Sequence, residues 1–315
     1  MTQRSLDFEY DYKNIKDRIE ELKNLSSARG IDLGSEIVDL ETKVEELQRE
    51  KYQSLSAWEK VLMARHPERP LATEYYDALC EDWMELHGDR LYGDDPAIVG
   101  GIGIMDGIPV TLIGHQKGKN TNDNISRNFG MPYPEGYRKA IRLMEQAQRF
   151  GRPVLTFVNT PGANPGMGAE ERGQGWAISQ SLATLAQLRV PVVCVIVGEG
   201  GSGGALALAV GDRMIMLSNS VFSVASPEAC SSILFKDPER AEETAKDLNL
   251  TAQDLLRLGI ADEIIEEPTG GAHRDFALIV SRLKESLRRN LQELMALPPE
   301  TLRTARYQKI RNYHP

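Results

Sequence analysis

Little in this sequence suits a disulfide framework, a membrane span or a nucleic-acid surface. Only three of its 315 residues are cysteine, Cys80, Cys194 and Cys230. Their spacing matches neither a disulfide scaffold nor a zinc site, and the five histidines are scattered, with no pair at ligand spacing. The longest strongly apolar stretch, Val190 to Val197, has eight residues, whereas a membrane-spanning helix needs about 20. The opening Met1-Thr2-Gln3-Arg4 runs at once into Asp7, Glu9 and Asp11, so no secretory signal is expected. Basic charge is not in surplus either. The 37 Lys and Arg against 46 Asp and Glu leave a net charge of −9, which argues against a dedicated nucleic-acid binder. Internal repeats and low-complexity tracts are also missing. The expectation is a cytoplasmic globular protein of one large or two ordinary domains, without a metal of its own.

Glycine is abundant, and its placement is uneven. Twenty of the 27 glycines lie between Gly100 and Gly211, which puts the working loops in the middle third. Before it, residues 1 to about 65 read as helix. Ile15, Ile19 and Leu22 share one face; after a break at Ser26-Ser27 and Gly30 to Gly34, Ile37, Leu40, Val44 and Leu47 form a second stripe. A further amphipathic helix is expected to carry Leu79, Trp83 and Leu86 on one side. From Ile98 the period changes to that of strands, and Asp106-Gly107 marks a two-residue hairpin. Helix (134–150), strand (153–160), helix (170–188), strand (190–198) and a short helix then alternate. Strands at 213–218, 221–226 and 260–266 follow, with helix between them. That order implies crossover units and a largely parallel sheet. A long amphipathic helix (273–297) and a basic tail expected on the surface complete the chain.

The sharpest local feature is Gly198-Glu-Gly-Gly-Ser-Gly-Gly204, which follows a buried-type strand and precedes a small-residue helix. A dinucleotide fingerprint would need an acidic residue about 20 positions on, and the region around Asn219 supplies none. Gly200-Gly-Ser202-Gly-Gly204 also fits the elbow of a serine hydrolase, with Asp262 and His273 as the later acid and base. His273 opens a helix, however, and reads better as a capping or surface residue. In the third reading the backbone N–H groups of the turn form an oxyanion hole and Ser202 is a turn residue. A tight packing turn explains one or two glycines, and five within seven residues exceed that need.

A second glycine-rich loop, Thr160-Pro-Gly-Ala-Asn-Pro-Gly-Met-Gly168, also joins strand to helix. Both loops are therefore expected at the C-terminal edge of the sheet, where ligands bind. Between His115 and Arg152 the charge reverses, with eight Lys or Arg against three acids. The reversal suggests an anionic ligand or an acidic partner, with Lys117, Lys119 and Arg138 as the anion-binding candidates. Gly114-His-Gln-Lys-Gly118-Lys119 is one residue short of a phosphate loop, which sets nucleotide hydrolysis aside.

Several long words of the chain resemble the alpha-subunit family of the bacterial acetyl-coenzyme A carboxylase carboxyltransferase. They are Ala64-Arg-His-Pro-Glu-Arg-Pro70, Gly88-Asp-Arg90, Ile113-Gly-His-Gln-Lys-Gly118, Arg127-Asn-Phe-Gly-Met-Pro132 and Pro134-Glu-Gly-Tyr-Arg-Lys139. Gly168-Ala-Glu-Glu-Arg-Gly-Gln174, the 198–207 turn and Gly270-Gly-Ala-His-Arg274 continue the match in the same order. The resemblance implies an α/β fold of the ClpP/crotonase type, a spiral of ββα units. Residues 1–70 would be a helical arm, 71–297 the carboxyltransferase domain and 298–315 a tail. It implies transfer of a carboxyl group from carboxybiotin, held on a biotin carboxyl carrier protein, to acetyl-CoA. The product is malonyl-CoA, in the first committed step of fatty acid synthesis. A beta subunit with a zinc ribbon would bring acetyl-CoA, in an alpha2beta2 assembly, with biotin carboxylase in the wider complex. Carried over residue by residue, the amides of Gly203 and Gly204 would hold the ureido oxygen of biotin. Gly200, Gly201, Gly162 and Gly166 would lie on the carboxybiotin side. The chain departs from the family at Asn159 and Asn164, where Asp and Tyr are usual, and at Gly175-Trp176, where Ser-Glu is common.

Overall fold

The computed structural model describes residues 10–29 and 33–313; the helix expected to break at Ser26-Ser27 runs on to Arg29, and residues 30–32 of the expected break fall outside the described residues. Two helices, α1 (Tyr10–Arg29) and α2 (Gly34–Gln53), form an antiparallel pair closed by Ile19 and Val44, with Ile15, Ile37 and Leu40 against them. The next helix, α3 (Ala57–Ala64), starts on a capping box in which Ser56 and Glu59 satisfy each other's backbone N–H groups. It buries Val61 and Ala64 against Val221, Ala245 and Leu250 of the main body.

After α4 (Ala72–Leu79) the chain departs from expectation. The helix stops at Leu79, and Trp83 lies in a strand, β1 (Asp82–Glu85), paired antiparallel with β2 (Ile98–Met105). The cause lies in β2. A Cβ on Gly101 would fall 1.9 Å from the Met84 carbonyl oxygen, and one on Gly103 3.2 Å from the Trp83 Cβ. The bare glycine face lets β1 close in, and Trp83 then packs edge-on against Tyr76 at 5.2 Å. β2 turns into β3 (Ile108–His115) through Asp106 and Gly107, both at positive φ, as the two-residue hairpin requires.

The remaining elements in order are α5 (Thr121–Ser126), α6 (Pro134–Phe150), β4 (Val154–Thr160), α7 (Met167–Glu171), α8 (Gln174–Gln187) and β5 (Val192–Gly201). There follow α9 (Ser202–Leu206), β6 (Arg213–Leu217), β7 (Val221–Ser223), α10 (Pro227–Phe235), α11 (Ala241–Asp247), α12 (Ala252–Arg257), β8 (Glu263–Ile265), α13 (Phe276–Met295) and α14 (Pro299–Arg311). The helix expected over 170–188 is split in two by Gly173 at φ +82°. α13 starts at Phe276, with Asp275 as its cap, rather than at His273.

The sheet order is β1-β2-β3-β4-β5-β6-β8, antiparallel as far as β3 and parallel beyond it. β5 is buried along its whole length, as a central parallel strand should be. Val192, Cys194 and Ile196 face the core under α6 and α8, while Val193, Val195 and Val197 face the core under α4 and α13. Midway, β5 changes partner. Val193 to Ile196 pair with β6, whereas Glu199 to Gly201 pair with β7.

The C-terminal segment is not a surface tail. α14 inserts Arg306, 1% exposed, beneath the sheet. Its guanidinium donates to both oxygens of Asp212, at 3.0 and 2.7 Å, and to the carbonyls of Leu185, Leu188 and Val190. Removing one partner of such a pair strands a buried charge. Arg306→Ala is expected to cost about 3–5 kcal/mol in urea unfolding, and Arg306→Met with Asp212→Asn is expected to recover a large part of it. Equal stabilities for the two variants would contradict this account of α14.

Candidate active site

The two glycine-rich loops meet at the C-terminal ends of β4 and β5, and they meet backbone to backbone. A Cβ on Gly201 would fall 2.1 Å from the Pro161 carbonyl oxygen. One on Gly204 would fall 2.4 Å from the Ala163 nitrogen and 2.8 Å from the Tyr137 hydroxyl. Gly200 is closed in the same way by the Phe222 ring, at 2.5 Å, and Gly198 by the Asn159 side chain. These glycines are dictated by contact. Gly203 differs, because the nearest atom to its Cβ position is Ile178 Cγ2 at 3.7 Å. Gly203 and Gly204 lie in the first turn of α9, where N–H groups have no acceptor within the helix. Two amide donors thus sit at a turn where Gly203 is half-buried and Gly204 is buried.

The facing loop is fixed by its own short-range bonds. Gly162, at φ +152°, takes a conformation that side chains rarely adopt. Its N–H donates to Thr160 Oγ1 at 3.0 Å. Asn164 Oδ1 accepts from the Gly166 N–H at 2.7 Å, and the Asn164 N–H donates to the Pro132 carbonyl at 3.0 Å. Gln174 donates to the carbonyls of Pro132 and Asn164. Asn159 accepts from the Glu199 N–H at 3.2 Å, joining β4 to the start of the glycine turn. Both asparagines at which the chain departs from the resembled family are therefore structural members of the loops. Gly175 borders open space, and Trp176 is exposed.

The three predicted cations are not gathered at one place. The Lys117 ammonium lies 3.7 Å from Glu199, beside the glycine turn, and burial lowers its pKa. Lys119 pairs with Glu74 on the surface, and Arg138 donates to Asp89 at 2.8 Å and to the Arg172 carbonyl. Lys139, wholly buried, pairs with Asp94, and Arg142 donates to the carbonyls of Gly88, Leu86 and His87. Much of the basic segment therefore folds against the chain's own acidic loop at 88–95. Burial pushes the Asp94 carboxyl up, but Lys139 and the Gly88 amide outweigh it and hold its pKa well below the usual range.

Sequence reasoning passed over four groups around the turn. Arg65 and Arg69 reach it from the end of α3, and His115 and Tyr137 lie buried behind Gly204. Burial lowers the His115 imidazole to about 3, against a partial offset from the Gly204 backbone, and keeps the Tyr137 phenol protonated. The signal available for the arginines was their i, i+4 spacing inside Ala64–Pro70.

The hydrolase triad is not assembled. Ser202 is exposed, with φ +58°. Asp262 is engaged by Lys309 and the Met214 N–H. His273 stacks on His66, with centroids 4.1 Å apart and planes within 6°, and its neighbouring carboxylate is Glu68 at 3.8 Å. His66, Glu68 and His273 bring ligand atoms within 4.8 Å of one another. Parallel stacked rings hold their lone pairs in separate planes, however, and so do not converge on one ion.

Over residues 5–314 the chain matches the family described as acetyl co-enzyme A carboxylase carboxyltransferase-like. It is 56% identical over 311 residues to the acetyl-coenzyme A carboxylase carboxyl transferase subunit alpha of Syntrophomonas wolfei, covering 99% of this chain and 98% of that one. Among solved structures, the transcarboxylase 12S hexamer core aligns with a TM-score of 0.60 at 16% identity, over 72% of this chain and 42% of that chain. A Pseudomonas malonate decarboxylase hetero-tetramer in complex with coenzyme A aligns with a TM-score of 0.58 at 19% identity, over 75% and 91%. The architecture is the crotonase-type α/β fold that the sequence resemblance implied. With the match spanning nearly its whole length, the chain belongs to the alpha-subunit family of the acetyl-CoA carboxylase carboxyltransferase.

Proposed function

We propose that this chain is the alpha half of a carboxyltransferase that moves a carboxyl group from carboxybiotin to acetyl-CoA, giving malonyl-CoA. In this reading it works in a hetero-oligomer, alpha2beta2, with a beta subunit that binds acetyl-CoA and a carrier protein that delivers biotin. Among the described residues no helix is long and apolar enough to cross a membrane.

The observation that carries the reading is the half-buried Gly203, whose Cβ position meets Ile178 only at van der Waals distance, next to a buried Gly204 that tolerates no side chain. Such a cradle fits the flat ureido ring of biotin, with its oxygen toward the two amides. Bound biotin supplies the carboxyl group and a ring nitrogen able to accept a proton. The chain's contribution is electrostatic. The N–H groups of Gly203 and Gly204 donate to the oxygen on which negative charge develops, and they are already aimed before the reaction begins. One such donor is typically worth about 2.7–4 kcal/mol. Gly162 and Gly166 shape the facing wall, and Gly200 and Gly201 keep the floor thin enough for close approach. Tyr137 stays a neutral phenol and His115 a neutral imidazole, so neither places a competing charge behind the amides. Lys117, Lys119 and Arg138 are retained as anion contacts only to the extent that a ligand displaces their present carboxylates, and Lys117 lies nearest the turn.

Two outcomes are expected. A Cβ at Gly203 meets no neighbour closer than 3.7 Å, so Gly203→Val should fold and assemble. Its malonyl-CoA decarboxylation with free biotin, assayed in the alpha–beta complex, should fall at least 100-fold. Ser202→Ala should retain activity within about threefold, and a fluorophosphonate probe should leave the native chain unlabelled. Wild-type activity in Gly203→Val, or labelling lost on Ser202→Ala, would reverse the reading. The second outcome concerns pH. Unfolded, His115 takes up a proton near its ordinary value of 6.5; folded, it does so only at about 3. Stability is therefore lost as pH falls from 6.5, by up to about 1.4 kcal/mol per unit for this group. Asp95, raised to about 6 mainly by burial, acts in the opposite sense in both proteins. Urea unfolding of His115→Phe between pH 7 and 5 should show a shallower acid loss than wild type.

A further inference from the structure

A turn with five glycines in seven residues has no side-chain packing of its own to hold it. Glycine also loses more backbone freedom on ordering than any other residue. Amides that must be aimed before reaction therefore need an external grip. Two arginines supply one. At the point where β5 leaves β6 and has not yet joined β7, Arg69 Nε donates to the Val197 carbonyl. Arg69 is 3% exposed and is fixed by both oxygens of Glu267, at 3.0 and 2.5 Å. Glu267 in turn accepts from the N–H groups of Asn219 and Ala272. Four residues earlier in the chain, Arg65 takes hold of Glu199. Its Nε and Nη2 reach Glu199 Oε1 at 2.8 and 2.7 Å, and its remaining donors reach Glu228 at the start of α10. Gly198 thus lies between two gripped neighbours, with the Asn159 side chain filling the place of its missing Cβ and accepting from the Glu199 N–H.

Glu199 is the one charged residue in the turn, and it is 6% exposed. A buried carboxylate costs stability unless paired, so its presence in an all-small turn calls for a role other than packing. We infer that Arg65 and Glu199, braced by Arg69, are positioning residues that set the direction of the Gly203 and Gly204 amides. The inference rests on the oxyanion reading above and adds to it the device that aims those amides. A displacement of about 1 Å at a reacting group can cost roughly 100-fold in rate, so loss of the grip is read in kcat.

The test uses the assembled alpha–beta complex carrying Arg65→Lys, Arg65→Met, Glu199→Gln and the double variant Arg65→Met/Glu199→Gln. The expected result is a 10- to 100-fold fall in kcat for each, with KM for malonyl-CoA within twofold. Arg65→Met leaves Glu199 with Lys117, 3.7 Å away; the double variant, which takes the carboxylate from Lys117 as well, should not recover kcat whatever its thermal stability. Amide hydrogen exchange across residues 198–204 should quicken in every variant. Arg65→Lys keeps the charge and loses the forked geometry, so it reports even where Arg65→Met does not fold. Unchanged kcat, or kcat that rises with stability in the double variant, overturns the inference. If Gly203→Val is active, the oxyanion reading itself fails. If Gly203→Val is inactive while the Arg65 and Glu199 variants are fully active with unaltered exchange, only the positioning role fails.

Discussion

The contact on which this molecule depends is a backbone laid against a backbone. The turn after β5 touches the loop after β4 at Gly201 on Pro161 and at Gly204 on the Gly162–Ala163 peptide, with no room for a single carbon between them. Parallel strands bring two such loops to one sheet edge; only glycine lets them close. The result is a half-buried Gly203 beside a buried Gly204, in a turn almost without side chains. On the proposed reading the chemistry is carried by amides, and such a site needs neither a perturbed nucleophile nor a metal-ligand set.

Many of the chain's buried or half-buried charges brace one segment against another. An acidic protein with a basic segment looks like one prepared for an anionic guest. In the fold, Arg138, Lys139 and Arg142 instead tie α6 to the loop at 88–95. Arg65 and Arg69 tie α3 to both sides of Gly198. Arg306 ties the last helix beneath β6 through Asp212. In each case a guanidinium, or for Lys139 an ammonium, satisfies carbonyls or carboxylates between segments distant in the chain. The glycine turn is braced in this way through Val197 and Glu199.

How much of this was legible depended on range. Asp106-Gly107 states its turn locally, and the run Val192 to Val197 states a strand buried on both faces. The glycine turn was readable because five glycines exceed any local need, and the long words around it carried the family. Trp83 was misread, since its helical spacing from Leu79 is overruled by the bare face of β2, a partner that comes later in the chain. Arg306 looked like part of a basic tail, for nothing near it in sequence announces Asp212, 94 residues away. The grip of Arg65 on Glu199 spans 134 residues and was likewise invisible. Local conformation could be read from neighbours; the ion pairs that brace the site could not.

The central claim is that the amides of Gly203 and Gly204 meet the ligand. It is tested most directly by nuclear magnetic resonance on the chain labelled with nitrogen-15 at glycine. Titration with free biotin should move the Gly203 and Gly204 amide proton resonances downfield in a saturable way, with Gly259, Gly270 and Gly271 unmoved. Saturable shifts confined to other glycines, with Gly203 and Gly204 unchanged, would contradict the account.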